Sequence, residues 1–474
     1  MYKVTFKFES SEDVSIFAAL GENLLEVARK TNVAIDAPCN GNAACGKCKV
    51  KLVGGELDSK KTHHITDEEY ASGWRLACCS KVCADVEVFV PDIASAYKSR
   101  MKVADLSSPG ELKIFDDLKE QVLQAGIELK NDMKVITLEM DEPTLDDTMP
   151  DNERFTRALQ AQTGVEKIRI PFFVLKKLAF VIRENGFHVQ VVLRQIENDI
   201  FVYDVRGKEE KVIVGGMAVD IGTTTVSAII IDMLTGEILA KGSTGNGQIR
   251  YGADVINRII ESGKTGGREK LQKAVVEETI NPLVDTMCKQ AHLNHDQIYR
   301  LCIASNTTMN HLLLGVHADP IRMEPFIPTF FKTNSVFASD IDIKVNPAAH
   351  VILAPNIGSY VGGDITAGAF VSMVWNKPEF SLFIDLGTNG EIVFGNSDFM
   401  FSCACSAGPA FEGGDISCGM RATDGAIEAC TIDEETMEPT YSVVGDPGTK
   451  PVGICGSGII DIIAEPVSYT HLRA

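Results

Sequence analysis

Four cysteines at a distinctive spacing constrain the fold of this chain more than any other feature. Cys39, Cys45 and Cys48 fall within one loop, with five and then two residues between them, and Cys78 follows after 29 more. Four thiolates, three from one loop and one from a distant segment, suit a 2Fe–2S cluster, whose irons are held by cysteine sulfurs. The spacing predicts that the N-terminal part of the chain folds around such a cluster.

The residues around the four cysteines favour the cluster over its alternatives. Gly41 and Gly46 allow a tight bend and leave backbone N–H groups free to face the cluster sulfides. Zinc sites usually combine two short Cys-x2–4-Cys hooks, and the adjacent Cys78 and Cys79 do not form a second hook. A structural zinc site and buried thiols without a metal are the alternatives, and Cys79 and Cys83 are weaker candidates for the fourth ligand.

Composition excludes several classes of protein. The 474 residues suffice for two to four domains, and a net charge of −20 argues against nucleic-acid binding, which needs basic clusters. Thirteen cysteines in a long chain do not indicate a disulfide scaffold. No apolar run of about 18 residues predicts a membrane helix, and residues 1–10 lack a signal-peptide core, so we expect a cytoplasmic location and no membrane partner.

The pattern along the chain predicts four segments. Residues 1–91 form a small α/β unit, 92–125 a helical linker interrupted at 107–110, 126–211 a middle α/β domain, and 212–474 a glycine-rich α/β domain that binds a ligand at its strand ends. Hydrophobic periodicity places the elements within these segments. The predicted strands are 2–8, 49–53, 86–90, 187–193 and 200–205, and the predicted helices are 23–31 and 172–184.

Two related hairpins mark the last segment. Each consists of a strand ending in Asp, a tight Gly/Thr turn and a second strand, at residues 218–231 and 383–394. Such a turn presents N–H and hydroxyl donors to phosphate oxygens, and the Asp can hold Mg²⁺ through water. Two copies suggest two similar halves that close on one nucleotide. The candidate phosphate contacts are Gly222, Thr223, Thr224, Thr225, Gly387, Thr388 and Asn389, and the candidate catalytic carboxylates are Asp220, Asp385 and Glu391.

One apparent phosphate loop is a decoy. Ser262-Gly263-Lys264-Thr265 looks like the end of a Walker A motif, but position 258 is Arg where the motif requires glycine. The segment also follows a predicted helix instead of a strand. Outside the two sites, we expect His63 and His64 to be exposed and His311 and Met309 to pack in a core. Cys302 is expected to pack there as well, and five further cysteines of the last segment are predicted to be small buried residues: Cys403, Cys405, Cys418, Cys430 and Cys455.

Both sites resemble known families. The cysteine region resembles 2Fe–2S ferredoxin domains of β-grasp fold, and its x5 spacing and the segment Arg75-Leu76-Ala77-Cys78 are similar to the adrenodoxin-like branch. The two hairpins, followed by Gly453–Gly458, resemble the actin/Hsp70/sugar-kinase superfamily, which has a ribonuclease H-like fold. That resemblance implies an ATPase domain in which Gly456, Ser457 and Gly458 contact the adenosine.

The combination is more specific than either part. With the further segments 246–255, 305–311 and 360–364, residues 1–466 resemble the reductive activators of corrinoid proteins. The resemblance implies a multidomain α/β protein that uses ATP and Mg²⁺ to drive an electron from the cluster to Co(II), regenerating Co(I). The implied partners are a corrinoid methyltransfer protein and an electron-donating reductase, and we also consider a homodimer. The alternatives are an activator of another low-potential enzyme and a small-molecule kinase with an accessory cluster.

The end of the chain departs from the resemblance. Residues 467–474 do not continue the helix that is expected to start near Ile459, and they look like a foreign tail. We therefore expect the ATPase domain to be incomplete.

Overall fold

The fold is taken from a computed structural model, in which Cys39, Cys45, Thr388 and most of the linker lie outside the described residues. The described residues are 1–8, 13–31, 33, 35, 43, 46–91, 102–103, 109–128, 131–252, 254–333, 336–387, 389–405, 418–419, 425–433, 436, 438–445, 448–451 and 453–473. Within them, no helix combines the length and apolar character that crossing a bilayer requires.

The N-terminal unit is a mixed five-stranded sheet in the order β2-β1-β5-β3-β4, packed on a short helix. Strand β1 runs parallel to β5, while β2 is antiparallel to β1 and β3 is antiparallel to β5, as in a β-grasp fold. The predicted elements are confirmed, although the strands that begin at Lys49 and end at Phe89 are longer than expected. The elements are β1 Tyr2–Lys7, β2 Val14–Ala18, α1 Leu24–Lys30, β3 Lys49–Ser59, α2 Asp67–Ala71, β4 Trp74–Leu76 and β5 Ser80–Phe89.

Where it is described, the linker contains one strand and one helix. Its helix begins at Pro109, so Pro109 and Gly110 open the helix and do not interrupt it; Pro is well tolerated at a helix start, where its missing N–H needs no partner. The strand pairs with the edge of the large C-terminal sheet, Val103 opposite Gly242, and no local sequence pattern predicts this pairing. These elements are β6 Lys102–Val103 and α3 Pro109–Gln124.

The middle domain is a four-stranded sheet in the order β7-β9-β10-β8, with two helices on one face. The predicted helix at 172–184 and both predicted strands are confirmed. On the other face, Tyr203 lies in a shared core with Tyr299 of the next domain, and its hydroxyl is 2.7 Å from His350 Nδ1. The elements are β7 Met133–Glu139, α4 Asp151–Thr163, β8 Lys167–Arg169, α5 Phe172–Glu184, β9 His188–Ile196 and β10 Asp199–Gly207.

The C-terminal segment opens with a seven-stranded sheet in the order β15-β16-β14-β11-β12-β13-β6. Three antiparallel strands followed by parallel β14 and β16 give the ribonuclease H-like arrangement. The helices α6 to α8 and the apolar residues of one sheet face form the main core. The elements are β11 Gly215–Ile221, β12 Thr225–Asp232, β13 Ile238–Gly245, α6 Val255–Ser262, α7 Gly267–Val275, α8 Asn281–Gln290, β14 Ile298–Ser305, α9 Thr307–Leu313, α10 Asp319–Arg322, β15 Val336–Phe337, β16 His350–Leu353 and α11 Gly363–Val371.

The second half of the C-terminal segment contains the second predicted hairpin in a three-stranded sheet, and it has one further small sheet. The last helix runs to Arg473, so the expectation that it stops before residue 467 is wrong. The elements are β17 Ser381–Leu386, β18 Gly390–Gly395, β19 Met400–Cys405, β20 Ala426–Ile432, β21 Pro439–Val443, β22 Gly453–Ile454 and α12 Gly456–Arg473.

The cysteine predictions hold only in part. Cys430 and Cys455 are buried as expected. The thiol of Cys302 is exposed because it lies on the sheet face opposite the helices. Three others are also exposed, which corrects the prediction: Cys403, Cys405 and Cys418.

Candidate functional site

The thiols of Cys48 and Cys78 meet within the N-terminal unit. Their Sγ atoms are 3.2 Å apart, and both cysteines are free of disulfides. Cys48 is held just before β3 and is buried, while Cys78 lies in a tight 3-10 turn between β4 and β5. The Ala77 N–H donates to the Cys48 carbonyl at 2.8 Å, which fixes the two segments against each other. Two thiols at this separation fit two ligands of one metal ion, whereas Cys39 and Cys45 lie outside the described residues.

Gly46 shows why the cluster loop needs glycine. Its φ is +66°, in the left-handed region, and a Cβ there would come within 2.6 Å of the His64 side chain. His64 is therefore half-buried against the loop, which corrects the prediction that it is exposed, while His63 is exposed as predicted. Cys83 points elsewhere, since its thiol donates to the Glu56 carbonyl at 3.4 Å.

The turn of the first hairpin is tied back into the protein by its carbonyl groups. Asn246 Nδ2 donates to the Gly222 carbonyl at 2.8 Å, and the Asn246 N–H donates to the Thr224 carbonyl at 2.8 Å. The Thr223 carbonyl between them accepts from the guanidinium of Arg258. Three consecutive carbonyls are therefore engaged on the inner side of the turn.

This arrangement leaves donors on the other side. In a trans peptide the N–H points away from the preceding C=O, so the N–H groups of Thr223 and Thr224 face away from Asn246 and Arg258. Within the described part of the chain, neither N–H meets an acceptor. Unsatisfied backbone donors in a tight turn form an anion-binding concavity. The turn is thus suited to phosphate oxygens, as the sequence predicts.

Arg258 and Asn246 were not predicted to have this role. Arg258 is completely buried, and it also donates to the Gly252 carbonyl at 2.9 Å and contacts Met309 Sδ at 3.3 Å. Asn246 is buried as well, and its Oδ1 accepts from the Gln248 N–H at 3.0 Å. The only available signal was that position 258 carries Arg where the apparent Walker motif would have glycine. The structure confirms that this motif is a decoy, because it follows α6.

The second hairpin resembles the first. Asp385 is the second-last residue of β17 and lies opposite Glu391 of β18, and Asp220 is likewise the second-last residue of β11. The Gly387 N–H donates to the Asn389 carbonyl at 3.0 Å, which closes the turn. Thr225 opens β12, while Thr388 lies outside the described residues.

Four carboxylates interact at the mouth between the hairpins. Burial and then the charge of Asp385 raise the pKa of Asp220 to about 6, although solvent reaches its side chain. Burial also raises the pKa of Asp385. Burial, followed by the charges of Asp364 and Asp385, raises the pKa of Glu391 to about 7. The hairpins therefore bring the predicted carboxylates within electrostatic range of one another.

Asp364 belongs to the segment 360–364 that contributes to the family resemblance, but it was not predicted as a site residue. Burial and the charges of Asp385 and Asp220 raise its pKa to about 6. It sits in the first turn of α11, whose start is held because the Gly363 N–H donates to Asn356 Oδ1 at 3.1 Å. Asn356 in turn accepts from Asn310 Nδ2 at 2.9 Å. The buried amides thus fix the position of Asp364.

A metal ion at these four carboxylates would need further ligands, such as water or phosphate oxygens. Among the described residues, no three His, Cys, Asp or Glu side chains converge closely enough to hold a metal ion. Carboxylates that repel one another at some distance suit Mg²⁺, which keeps several waters and takes substrate phosphate oxygens as ligands. Asp220 and Asp385 are the residues that would face such an ion.

The remaining predicted residues fall in two places. Gly456, Ser457 and Gly458 open α12, and a Cβ on Gly458 would come within 2.2 Å of the Ile427 carbonyl, so this turn requires close backbone approach. Their contact with adenosine stays a prediction. His311 is buried with both ring nitrogens engaged, Nδ1 at 2.8 Å from the Thr307 carbonyl and Nε2 accepting from the Thr329 N–H at 3.1 Å, which confirms its packing role.

Models of known families match four stretches of the chain. A model of the 2Fe–2S iron–sulfur cluster binding domain matches residues 8–83. The models of the RACo linker region, the RACo middle region and the C-terminal ASKHA domain of RACo match residues 122–211, 215–377 and 379–473.

Individual relatives agree with these matches. The chain is 30% identical over 443 residues to the corrinoid activation enzyme RamQ of Eubacterium limosum, covering 93% of this chain and 66% of that protein. It is 28% identical over 279 residues to the [Co(II) methylated amine-specific corrinoid protein] reductase of Methanosarcina barkeri, covering 52% of this chain and 50% of that protein. The chain thus spans between half and two thirds of these relatives.

A solved structure extends the similarity to the whole fold. The reductive activator for corrinoid,iron-sulfur protein superimposes with a TM-score of 0.61 at 35% identity, covering 98% of this chain and 72% of that chain. The similarity therefore includes the ferredoxin-like unit, the middle domain and both hairpins together.

Proposed function

Because this chain belongs to the family of reductive activators of corrinoid proteins, we propose that it uses ATP to drive one electron onto the Co(II) of a corrinoid protein. The products are Co(I), ADP and phosphate. A 2Fe–2S cluster held by Cys39, Cys45, Cys48 and Cys78 would supply single electrons at low potential. An electron-donating reductase would replace each electron.

The observation that supports this proposal best is the prepared turn of the first hairpin. Among the described residues, the N–H groups of Thr223 and Thr224 have no acceptor, while three successive carbonyls are held on the opposite side. We expect these donors to bind the terminal phosphates, with Gly222 giving the backbone room to approach. A Cβ on Gly222 would lie 2.7 Å from the Thr225 carbonyl, so the turn admits no larger residue without rearranging.

The carboxylates would have two roles, one towards Mg²⁺ and one as a general base. Asp220 and Asp385 would face the hydrated Mg²⁺ that neutralises the phosphates. Glu391 is nearly buried, and its pKa of about 7 suits a general base at neutral pH, because it can accept a proton from the attacking water and release it again. Hydrolysis would then change the docked complex so that the otherwise unfavourable reduction of Co(II) proceeds.

The linker limits how the electron can be delivered. Strand β6 pairs residues 102–103 with the C-terminal sheet, so the length of chain between Pro91 and Lys102 sets the greatest distance between the ferredoxin-like unit and that strand. Eleven residue steps span at most about 36–40 Å. We expect the unit to collect an electron at one position and deliver it to a partner docked on the C-terminal domains.

The test is a reduction assay with the purified chain, a Co(II) corrinoid protein and a chemical reductant, followed by the Co(I) absorbance. We expect Co(I) to appear with ATP and not with a non-hydrolysable analogue. An equal rate without ATP would show that hydrolysis is not coupled to reduction. An ATPase stimulated by a small molecule, with no response to a corrinoid protein, would favour a kinase, and stimulation by a different low-potential enzyme would favour that enzyme as the partner.

A further inference from the structure

Cys79 lies against the fourth predicted ligand of the cluster. Its Sγ is 3.6 Å from Cys78 Sγ, which is itself 3.2 Å from Cys48 Sγ. Cys78 and Cys79 follow each other in the tight turn Ala77–Cys79, and this turn holds both thiols side by side. The proposed function uses Cys48 and Cys78 but gives Cys79 no role.

Ligation would decide the direction of the hydrogen bond between the two sulfurs. Between two thiols either sulfur could donate, as the distance alone allows. A cysteine that binds a metal does so as a thiolate and has no proton to give. With Cys78 as a ligand, only the Cys79 S–H can be the donor and only the Cys78 sulfur the acceptor.

Such a hydrogen bond changes the reduction potential of the cluster more than it changes how tightly the cluster is bound. Reduction adds an electron and makes the ligand sulfurs more negative, so a donor to one of them stabilises the reduced state more than the oxidised state. Hydrogen bonds to the sulfurs are among the factors that set iron–sulfur reduction potentials. We propose that Cys79 is a positioning residue whose thiol donates to Cys78 and raises the reduction potential of the cluster.

The backbone around Cys79 is well enough fixed for this contact to be tested by substitution. Asn23 Nδ2 donates to the Cys78 carbonyl at 2.8 Å, and the Lys60 N–H donates to the Cys79 carbonyl at 3.1 Å. Ser80 Oγ donates to the Leu76 carbonyl at 2.8 Å on the other side of the turn. The turn is therefore held by its carbonyls, and the Cys79 side chain is only half-buried.

The experiment measures the midpoint potential of the cluster by a titration followed by electron paramagnetic resonance. We expect Cys79→Ala to retain the cluster and to lower the equilibrium constant for its reduction about tenfold, a shift of about 59 mV to more negative potential. Cys79→Ser keeps a donor and should recover most of the shift. Cys83→Ala is the matched control, because that thiol donates to the Glu56 carbonyl and should leave the potential unchanged.

Two results would overturn the inference. One is a midpoint potential of Cys79→Ala that equals the wild-type value, or equal midpoint potentials in Cys79→Ala and Cys79→Ser. The other is loss of the cluster in both variants with retention in Cys83→Ala, which would make Cys79 a ligand. The inference rests on the cluster of the proposed function, and the two fail separately: wild-type protein without iron and sulfide contradicts the proposed function itself.

Discussion

The guanidinium of Arg258, completely buried in the C-terminal domain, donates a hydrogen bond to the main-chain carbonyl of Thr223 at the tip of the first hairpin. A positive charge thus lies directly behind the turn, and the N–H groups of Thr223 and Thr224 face the other way. A buried guanidinium is costly unless its donors are satisfied, and here its partners include the Thr223 and Gly252 carbonyls. The position of the turn and the burial of Arg258 therefore depend on each other.

Replacing Arg258 with Met should weaken ATP binding. The change removes the donor from the Thr223 carbonyl, and an unsatisfied buried acceptor costs about 1–3 kcal/mol, so the turn loses its fixed shape. We expect at least about a tenfold loss of affinity, equivalent to about 1.4 kcal/mol, by titration calorimetry. Arg268→Met on the exposed start of α7 is the control and should bind ATP like the wild type. Equal affinities in the two variants would contradict the role of Arg258.

Asn246→Asp tests the same turn with a nearly isosteric change. Asp keeps the acceptor for the Gln248 N–H but replaces the donor to the Gly222 carbonyl with a negative oxygen. Repulsion between that oxygen and the carbonyl should turn the peptide and reduce ATP affinity by about ten- to a hundredfold. Asn152→Asp, at an exposed position in the middle domain, adds the same charge elsewhere and should have no effect. If Asn246→Asp binds ATP normally, the turn does not depend on this donor.

Sequence reasoning located the hairpins because their signal is local. A strand, an Asp and a Gly/Thr turn are adjacent in the chain, and the structure has the two antiparallel pairs at those residues. What escaped prediction lies farther apart in sequence. Asn246 and Arg258 reach the turn from 24 and 35 residues away, and neither residue type marks such a contact in advance. Strand β6 pairs with β13 across more than a hundred residues of intervening chain, including the whole middle domain.

The carboxylates should make stability depend on pH. The pKa of Glu391 is raised from 4.5 to about 7, so the folded protein binds more protons than the unfolded chain between these values. Stability from this group is therefore unaffected below about pH 4.5 and falls as the pH rises toward 7. We expect the melting temperature to decline over this range less steeply in Glu391→Gln than in the wild type. Parallel profiles for the two proteins would show that Glu391 ionises normally.

The same variant should separate binding from hydrolysis. Glu391→Gln keeps the shape of the side chain but cannot accept a proton, so ATP should still bind while its hydrolysis falls by about 10²–10⁴-fold. Affinity is measured by calorimetry and hydrolysis by phosphate release. A variant that hydrolyses ATP at the wild-type rate would exclude Glu391 as the base.

The cluster assignment predicts a difference between two thiols of the N-terminal unit, Cys48 and Cys83. Cys48 is buried and its sulfur touches that of Cys78, so Cys48→Ser should remove the visible absorption together with the bound iron and sulfide. Cys83→Ser alters a thiol that points to the Glu56 carbonyl and should keep all three. Zinc in stoichiometric amount in protein purified without air would instead favour the structural zinc site.

Shortening the linker should slow electron delivery without harming either site. The chain is fixed at Lys102 by pairing with Ser243, and Pro91 ends the ferredoxin-like unit, so only the residues between them set how far the cluster domain can reach. Deleting residues 94–97 removes about 13–14 Å from a maximum span of about 36–40 Å. We expect Co(I) formation to fall at least about tenfold while the cluster spectrum and the ATPase rate stay unchanged. Replacing the same four residues with Gly-Ser-Gly-Ser preserves the length and should preserve the rate, because reach and not sequence is the requirement.

If the deletion reduces Co(II) as fast as the replacement, the ferredoxin-like unit delivers its electron without moving far. If both variants are equally slow, the residues at 94–97 act through their side chains, and the length argument fails.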